Sequence, residues 1–511
     1  MANVSVTLMI EQHKSKSIFV LFVGNPTSSF ANESFERPSI LTILLVHFGF
    51  YLVIIISFVN HLLFGSKIVS KRNRTCYVPL YSLVERIYFR HGYRRMLSSI
   101  ARPICSAPAD TITILDRVTN DNGWTFEFLG TKSICINFGS YNYLGFAQNN
   151  GECAADSEQS LRKFGVASCC SRKELGTNLL HIQLEKITAQ FLDVDDAIIF
   201  GMGFATNAFN LPALLLPRCL ALSDELNHSS IILGLKLSGA FVKVYKHNNT
   251  KDLEKLIKQS IIDGQPNGQN WTKIFIITEG IFSMEGTMGK LPEIVAIKKK
   301  YGAYLYLDEA HSIGCLGPKG RGVTDYYGIN PKNVDILMGT FSKSFASAGG
   351  YIAGSKKLIN FLRVNSLCHC YGNSMSPAVA QQIISSMRQI MSSDGGRRIK
   401  QLARNTKYLR KRLGQIGVIT YGHEDSPVIP ILVYFYSKIR AVTESLTEKG
   451  IGVVGIAYPI TKFSTALIRI CVSAAHTKEQ LDYFLTTFEE ISSTLGLQYS
   501  SKSPNLQQVV Y

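Results

Sequence analysis

The sequence predicts an α/β protein with a mostly parallel, seven-stranded sheet, a smaller C-terminal α+β domain and one N-terminal transmembrane helix. From Ile136 onward, short apolar runs alternate with segments of helical periodicity, which is the pattern of a doubly wound sheet. Near the amino terminus, residues 39–64 contain no Asp, Glu, Lys or Arg. These two patterns place a membrane segment before the sheet in a chain of 511 residues, which is long enough for several domains.

The uncharged stretch 39–64 favours a membrane-spanning helix. At about 1.5 Å per residue, its length exceeds the hydrocarbon thickness of about 30 Å. A signal peptide would be shorter and closer to Met1, and a buried helix of a soluble core is the alternative interpretation. We therefore predict a transmembrane helix at 39–64 with residues 1–38 in the lumen, where Asn3 and Asn32 stand in N-x-[ST] sequons.

The basic residues that follow this helix predict its orientation and its surroundings. Residues 66–102 hold nine Lys or Arg against one acidic residue, Glu85, so the positive-inside rule places the rest of the chain in the cytosol. This cluster supplies about half of the net charge of +17. It favours an anionic membrane surface over nucleic acid, because no nucleic-acid recognition motif accompanies it. Residues 81–97 fit either an amphipathic interfacial helix or a partner-binding helix.

Glycine, proline and polar residues divide the remainder of the chain. We predict a basic interface segment at 65–135, a large domain at 136–394, a small domain at 395–499 and a tail at 500–511. Helices are expected at 180–191 and 291–300, and the small domain is expected to hold strands at 428–435 and 469–475 with a helix ending at Gly450. The seven strands of the large domain are expected near 197–200, 219–223, 240–246, 274–278, 303–308, 334–338 and 350–353.

The eleven cysteines predict neither a disulfide framework nor a metal centre. They are scattered without a CxxC pair, and Cys368-His369-Cys370 lacks the other ligands that a zinc site requires. Scattered reduced thiols are typical of a cytosolic region.

The loop around Lys343 is the centre of the functional argument. An apolar run at 336–338 ends in small and hydroxyl residues, with Ser342 before the lysine and Thr340 three positions upstream. A lysine in such a loop is most simply a solvated charge. The functional alternative is a desolvated lysine whose neutral amine attacks a carbonyl to form a Schiff base.

Three further segments place polar side chains after buried strands. Asp308 ends the run YLYLD, at the edge of the sheet where open α/β folds bind ligands, and it needs a cationic partner such as a pyridinium nitrogen. His311 follows three residues later, and His228 follows another apolar run. Gly201 and Gly203 in AIIFGMGFATN form a turn before a helix, where backbone N–H groups favour a phosphate.

Taken together, the ordered segments GMGFATN, DELNHSS, TEGIFSMEG, YLDEAHS and GTFSKSF resemble the α-oxoamine synthases, which are pyridoxal-phosphate enzymes of fold type I. The segments SYNYLGFA, LDEAHSIGCLGPKGRGV and IRICVSAAHTKEQL most resemble the catalytic large subunits of the branch that joins L-serine to palmitoyl-CoA. The resemblance runs from about residue 107 to about residue 499. It implies an aspartate aminotransferase-like fold and pyridoxal 5'-phosphate as the cofactor.

The resemblance also implies a role for each motif residue. Lys343 is expected to hold the cofactor and move the substrate proton, Asp308 to bind the pyridine nitrogen and His228 to stack on the ring, and these three are the expected catalytic residues. Arg469 is expected to grip the substrate carboxylate, and Asn142 either contacts the substrate or holds a turn. The remaining expected contacts are His311 and Ser283 on the phenolic oxygen side and Thr340, Ser342, Gly203 and Phe204 at the phosphate.

The implied reaction is the decarboxylating condensation of L-serine with palmitoyl-CoA to 3-ketosphinganine. A related subunit lacking the lysine is the expected partner, in the endoplasmic reticulum membrane. One alternative is another α-oxoamine synthase, such as a 5-aminolevulinate synthase, and another is a non-catalytic scaffold subunit, which would lack Lys343, Asp308 or His228. In one departure from the family pattern, Ala346 stands where a glycine is usual.

Overall fold

The core of the protein is a seven-stranded sheet covered by helices. The computed structural model describes residues 33–64, 87–97, 99–121, 123–462, 464–503 and 509–511. All seven predicted strands of the large domain are present, within about two residues of the predicted bounds. The predicted fold class is confirmed.

The strands, in chain order, are β1 (Glu33–Ser34), β2 (Thr111–Val118), β3 (Glu127–Asn137), β4 (Asp196–Phe200), β5 (Cys219–Asp224), β6 (Phe241–Tyr245), β7 (Lys273–Glu279), β8 (Tyr304–Asp308), β9 (Ile336–Thr340), β10 (Gly350–Gly354), β11 (Gly422–His423), β12 (Val428–Tyr434), β13 (Ile451–Gly452), β14 (Val454–Ile456) and β15 (Ala466–Cys471).

The α-helices are α1 (Ile40–Phe64), α2 (Glu152–Phe164), α3 (Leu179–Leu192), α4 (Gly203–Ala208), α5 (Leu211–Leu214), α6 (Ser229–Ser238), α7 (Thr250–Asp263), α8 (Leu291–Tyr301), α9 (Val323–Tyr326), α10 (Lys356–Asn365), α11 (Leu367–Tyr371), α12 (Pro377–Ile390), α13 (Ser393–Ile416), α14 (Tyr436–Glu448) and α15 (Lys478–Leu495). A π-helical turn at Tyr88–Gly92 and 3-10 turns at Tyr93–Met96 and Pro331–Asn333 complete the set.

The large sheet has the strand order β4-β10-β9-β8-β7-β5-β6, and β10 is antiparallel to both of its neighbours. Strands β5 to β9 are parallel to one another where they pair. Strands β5, β8 and β9 are almost entirely buried because helices cover both faces, which explains their continuous apolar sequences. Their carboxyl ends therefore meet at one edge of the sheet.

Two smaller sheets lie in the C-terminal part. One has the order β12-β15-β14, and α14 packs against it. The other joins the hairpin β2-β3 to β13 through parallel pairing of Ile136 with Ile451. The hairpin is thus part of the same body as the C-terminal strands, although much of it falls in the segment 65–135 that was expected to be an interface. The predicted domain boundaries at 136 and 395 stay predictions.

The apolar helix α1 is present where the sequence predicts a long apolar helix, and its amino-terminal flank contacts the rest of the protein. Strand β1 pairs with β11, and Glu33 Oε1 accepts a hydrogen bond from the Met288 amide at 2.9 Å. Residues 33 and 34 therefore pack on the body of the protein, whereas the sequence places residues 1–38 in the lumen. That luminal position stays a prediction. The sequons at Asn3 and Asn32 lie outside the described residues.

The segment that follows α1 also packs on the protein. Of the predicted amphipathic segment 81–97, residues 87–97 are described, and they form short helical turns. Ile87, Tyr88 and Met96 are buried, and the Tyr88 hydroxyl donates a hydrogen bond to the Tyr458 carbonyl. The apolar side of these turns thus faces the C-terminal domain.

Candidate active site

Three carboxylates mark the edge where the parallel strands end. Asp224 ends β5, Glu279 ends β7 and Asp308 ends β8, and Glu279 is the register partner of Asp308. All three side chains are buried. Burial and the neighbouring Asp308 charge raise the pKa of Glu279 well above its usual value. This edge is the expected ligand position of an open α/β sheet.

Asp308 is held by two hydrogen bonds. Its Oδ2 accepts from Asn207 Nδ2 at 2.7 Å, and its Oδ1 accepts from the Ala310 amide at 2.9 Å. Burial raises the pKa of Asp308, and the Asn207 hydrogen bond and the Lys343 charge oppose that rise. A buried carboxylate in this environment would be stabilised in its charged form by a further cationic partner.

Lys343 lies in the loop after β9 and is not a solvated charge. Its Nζ donates to Thr340 Oγ1 at 3.1 Å and lies 5.8 Å from the centroid of the Tyr141 ring. Burial lowers the pKa of Lys343, while Asp308 and Glu279 oppose the change. Ala346 closes the loop by donating its amide to the Lys343 carbonyl at 2.9 Å, with φ at 50°. That left-handed conformation explains the usual glycine, and an alanine adopts it at a cost of about 1 kcal/mol.

Two histidines face the same space in their neutral forms. His228 Nδ1 is 2.7 Å from Ser230 Oγ, and its amide donates to Glu279. Burial lowers the pKa of His228 to about 4, with help from the Lys343 charge. His311 Nδ1 is 2.8 Å from the Tyr143 hydroxyl, and burial lowers its pKa well below the usual value. An uncharged imidazole can lie against an aromatic ring without the cost of a buried cation.

Asn207 links Asp308 to His228 through Ser230, and the sequence interpretation missed it. Its Nδ2 donates to Asp308 Oδ2 at 2.7 Å and to Ser230 Oγ at 2.9 Å, while its Oδ1 accepts from the Tyr306 hydroxyl at 2.6 Å. Ser230 in turn contacts His228. Asn207 is the last residue of the GMGFATN segment, in which the sequence indicated only a glycine turn for a phosphate.

The start of α4 packs tightly against the end of β9. A Cβ at position 203 would lie 3.0 Å from Thr340 Cγ2 and 3.2 Å from the Gly349 carbonyl, so the close approach requires glycine. This contact brings the first turn of α4, with Gly203 and Phe204, beside the buried Thr340. The Ser342 side chain is exposed. The structure thus brings together Gly203, Thr340 and Lys343 of the predicted set.

Arg469 reaches this space from β15 of the small domain. It is buried, one of its Nη atoms donates to the Tyr141 hydroxyl, and the other lies 3.4 Å from the Ser283 carbonyl oxygen. Its guanidinium carbon is 4.7 Å from the Tyr141 ring centroid. The buried Nε has no hydrogen-bond partner within the described part of the chain. One edge of the guanidinium thus remains able to bind a carboxylate.

Asn142 does not share this arrangement. Its Nδ2 donates to the Pro108 carbonyl at 3.1 Å and its Oδ1 accepts from the Ala147 amide at 3.2 Å, so the side chain holds a turn. The preceding Tyr141 contacts both Lys343 and Arg469. The same SYNYLGFA segment thus contains a residue of the site, one position before the predicted one.

The donor set fits pyridoxal phosphate. The set consists of a half-buried amine, a buried carboxylate, neutral imidazoles and a helix start that packs beside a hydroxyl group. These are the groups that this cofactor requires. The fold and this donor set define a fold-type-I enzyme that uses pyridoxal 5'-phosphate.

Comparison with known proteins identifies the family. Residues 133–488 match the model of aminotransferase class I and II. The chain is 45% identical over 492 residues to serine palmitoyltransferase 3 from Homo sapiens, covering 94% of this chain and 89% of the relative. Serine palmitoyltransferase 2 from Caenorhabditis elegans is 45% identical over 484 residues, covering 93% and 87%.

A solved structure of SPT with its PLP internal aldimine superposes with a TM-score of 0.70 at 25% identity, covering 82% of this chain and all of that one. The chain belongs to the serine palmitoyltransferase family, within the class I and II aminotransferase fold.

Proposed function

We propose that this chain is the catalytic subunit that condenses L-serine with palmitoyl-CoA, releasing CO2 and CoA and forming 3-ketosphinganine, the first step of sphingolipid synthesis. The observation that carries the proposal is the convergence of Lys343, Asp308 and His228 at the sheet edge, with Arg469 above them. Family membership over nearly the whole chain supports it. A non-catalytic scaffold subunit has no need of these residues.

The proposed cofactor contacts follow from the positions of the side chains. Asp308 would bind the pyridine nitrogen, Lys343 the carbonyl carbon and His228 the ring face. His311 and Ser283 would bind the phenolic oxygen. Thr340, Ser342 and the amides of Gly203 and Phe204 would bind the phosphate. When bound, pyridoxal phosphate supplies an electron sink that stabilises negative charge on the α-carbon of an amino acid.

Lys343 performs the proton transfers in this proposal. Burial favours its neutral amine, and a neutral amine can take the proton from the α-carbon of serine. The Thr340 hydroxyl, 3.1 Å away, holds the amine near the cofactor position. After the acyl group has been added and CO2 has left, the protonated amine returns a proton to the same carbon.

Arg469 and Tyr141 bind and orient serine. The fork of Arg469 pairs with a carboxylate, and Tyr141 holds the guanidinium in place through its hydroxyl and its ring. Arg469 is buried, and an ion pair is stronger where water is excluded. A fixed carboxylate also determines which bond of the α-carbon lies closest to Lys343.

The chain is proposed to act at the endoplasmic reticulum membrane, with the catalytic body in the cytosol and a related, lysine-less subunit as its partner. The long apolar helix indicates membrane anchoring. Ten cysteines of the described residues are free, which agrees with a reducing compartment. The relatives carry the names of several numbered serine palmitoyltransferases, which fits an enzyme of more than one subunit.

The test measures CO2 release by the purified chain together with a candidate partner subunit, using serine, glycine and alanine against acyl-CoAs of different lengths. We expect the highest rate with serine and palmitoyl-CoA, and no CO2 release by the Lys343→Ala chain. A preference for glycine with a short acyl-CoA would instead identify a 5-aminolevulinate synthase-like enzyme. A complex whose rate is unchanged by Lys343→Ala would identify this chain as a scaffold.

A further inference from the structure

The apolar helix α1 has one face on the protein and one face exposed. Val46 is buried in a cluster with Ile419, Leu432 and Ile456 of the small domain. The opposite face is a continuous exposed stripe, called here the α1 stripe, whose members are 42–68% exposed: Leu41, Leu44, Leu45, Phe48, Leu52, Ile55, Ile56, Val59, Leu62 and Leu63. Water-facing surfaces seldom carry so long an apolar stripe, so a lipid or a protein must cover it.

The chain before α1 is attached to the catalytic body. Besides the β1-β11 pairing, Glu36 accepts hydrogen bonds from Ser500 Oγ and the Ser501 amide, both at 2.8 Å. The Phe35 ring lies 5.5 Å from the Tyr421 ring. These contacts involve residues from the sheet region and from the C-terminal tail, and they hold the entry to α1 at the protein surface.

The chain after α1 is attached to the same body. The Tyr88 ring lies 6.3 Å from the Phe50 ring, which is near the middle of α1, and the Tyr436 hydroxyl donates to the Gly92 carbonyl at 2.7 Å. Arg102 donates to the Val453 carbonyl at 2.8 Å. Both flanks of α1 therefore lie on one side of any membrane that the catalytic body faces.

This geometry excludes a single crossing, because a single crossing separates the two flanks by the thickness of the bilayer. A return crossing would have to be made by residues 65–86, which carry Lys67, Lys71, Arg72, Arg74, Glu85 and Arg86. Each charge at the centre of a bilayer costs at least about 2.5 kcal/mol. Six charges in one short segment make a return through the hydrocarbon untenable.

We propose that α1 lies in one leaflet of the membrane, along its surface, with the α1 stripe among the acyl chains and Val46 against the protein. The described flanks 33–38, 87–97 and 99–102 then stay on the side of the bilayer that the catalytic body faces. The basic sequence after α1 agrees with a position beside anionic headgroups, which attract Lys and Arg. The helix would hold the active site at the membrane surface, where a long-chain acyl donor partitions. This advantage rests on the proposed function, whereas the topology is argued from the contacts alone.

The topology can be tested with acceptor sites that the chain already contains. Asn3, Asn73 and Asn270 each stand in an N-x-[ST] sequon, before α1, after α1 and in the catalytic body. In sealed microsomes, we expect the full-length chain to carry no glycan removable by endoglycosidase, and external protease to remove epitope tags from both ends. The same chain behind a cleavable secretory signal is the positive control, because its Asn3 is forced into the lumen.

A glycan on Asn3 or a protease-protected terminal fragment of the native chain would overturn the proposal. A second test asks whether lipid covers the α1 stripe. One double variant carries Phe48→Glu and Leu52→Glu in the stripe. The control double variant carries Ile261→Glu and Ile262→Glu, at an exposed apolar pair on α7. We expect the first pair to lower binding of the full chain to phosphatidylcholine vesicles containing phosphatidylserine by at least about tenfold, and the control pair to leave it unchanged. Equal binding by both would mean that a protein, and not lipid, covers the stripe.

Discussion

The active site at the strand ends and the region around α1 depend on two different kinds of contact. At the strand ends, Asp308 directly follows buried residues of β8, and the register of parallel strands brings Glu279 beside it. Around α1, Glu33 bonds to the Met288 amide, 255 residues away in sequence. In a parallel sheet, side chains at the strand ends lie at a common edge, which local sequence patterns can predict. The position of a helix flank depends instead on contacts between residues far apart in sequence, which local patterns do not indicate.

Mutation of Lys343 separates the two regions most strongly. Lys343→Ala removes the amine that is proposed to bind the cofactor and to move the substrate proton, so we expect the rate of CO2 release to fall by about 10² to 10⁴-fold or more. Membrane binding should not change, because α1 and its flanks do not contact Lys343. Vesicle flotation and turnover, measured on the same preparation, check both statements.

The exposed Lys357 provides the matched control for this variant. Lys357→Ala should leave turnover and membrane binding at the level of the unaltered chain. If the Lys343→Ala enzyme were active, the proposed catalytic role of the strand ends would be contradicted.

Substitution of Arg469 should affect the binding of serine more than the chemical step. Arg469→Lys keeps the positive charge but loses the planar fork and the contact with Tyr141. We expect the KM for serine to rise by about tenfold or more and the KM for palmitoyl-CoA to stay constant. Steady-state kinetics with each substrate varied in turn measure the two values, and a rise in the palmitoyl-CoA KM alone would contradict the assignment.

Asn207 should act by positioning Asp308 and His228. Asn207→Ala leaves Asp308 Oδ2 and the Tyr306 hydroxyl without their partner, and an unpaired buried polar group costs about 1–3 kcal/mol. We expect pyridoxal phosphate to bind about tenfold or more weakly, as measured by equilibrium dialysis. Tyr306→Phe removes one hydrogen bond of Asn207 but keeps the bond to Asp308, so its effect should be smaller; an equal effect would show a general loss of packing.

Acidification should weaken the catalytic body and leave the amino-terminal contact in place. Burial lowers the pKa of His476 to about 4, so the unfolded chain binds a proton below about pH 6.5 that the folded chain does not. The free energy of unfolding therefore decreases as the pH is lowered. For this residue the decrease reaches up to about 3 kcal/mol by pH 4. Burial instead raises the pKa of Glu33, so protonation favours its buried state.

Denaturant midpoints at about pH 7 and about pH 5 measure the stability of the catalytic body. Limited proteolysis at residues 33–38 measures whether the amino-terminal contact persists. The His476→Gln chain should show a smaller drop in midpoint. Release of residues 33–38 at the lower pH, before the body unfolds, would contradict the sign assigned to Glu33.

The sequence was sufficient for the large sheet because buried parallel strands are continuous apolar runs bounded by polar residues. The ordered motifs also predicted Lys343, Asp308, His228 and Arg469 as site residues, and their roles stay predictions. It could not show that Asn207 and Tyr141 take part, because their roles depend on which side chains the fold places beside them. The apolar composition of residues 39–64 predicted the long apolar helix α1, which is present. The contacts of Glu33 and Glu36 beside it could not be predicted, because they join distant parts of the chain.

The central claim is that Lys343 is the residue that binds the cofactor. Borohydride reduction of the holoenzyme, followed by proteolysis and mass spectrometry, would fix the pyridoxyl group on the lysine to which it is bound. We predict one modified peptide, which contains Lys343, and none from the Lys343→Ala chain. A pyridoxyl group on another lysine, or on no lysine of the active enzyme, would contradict the account.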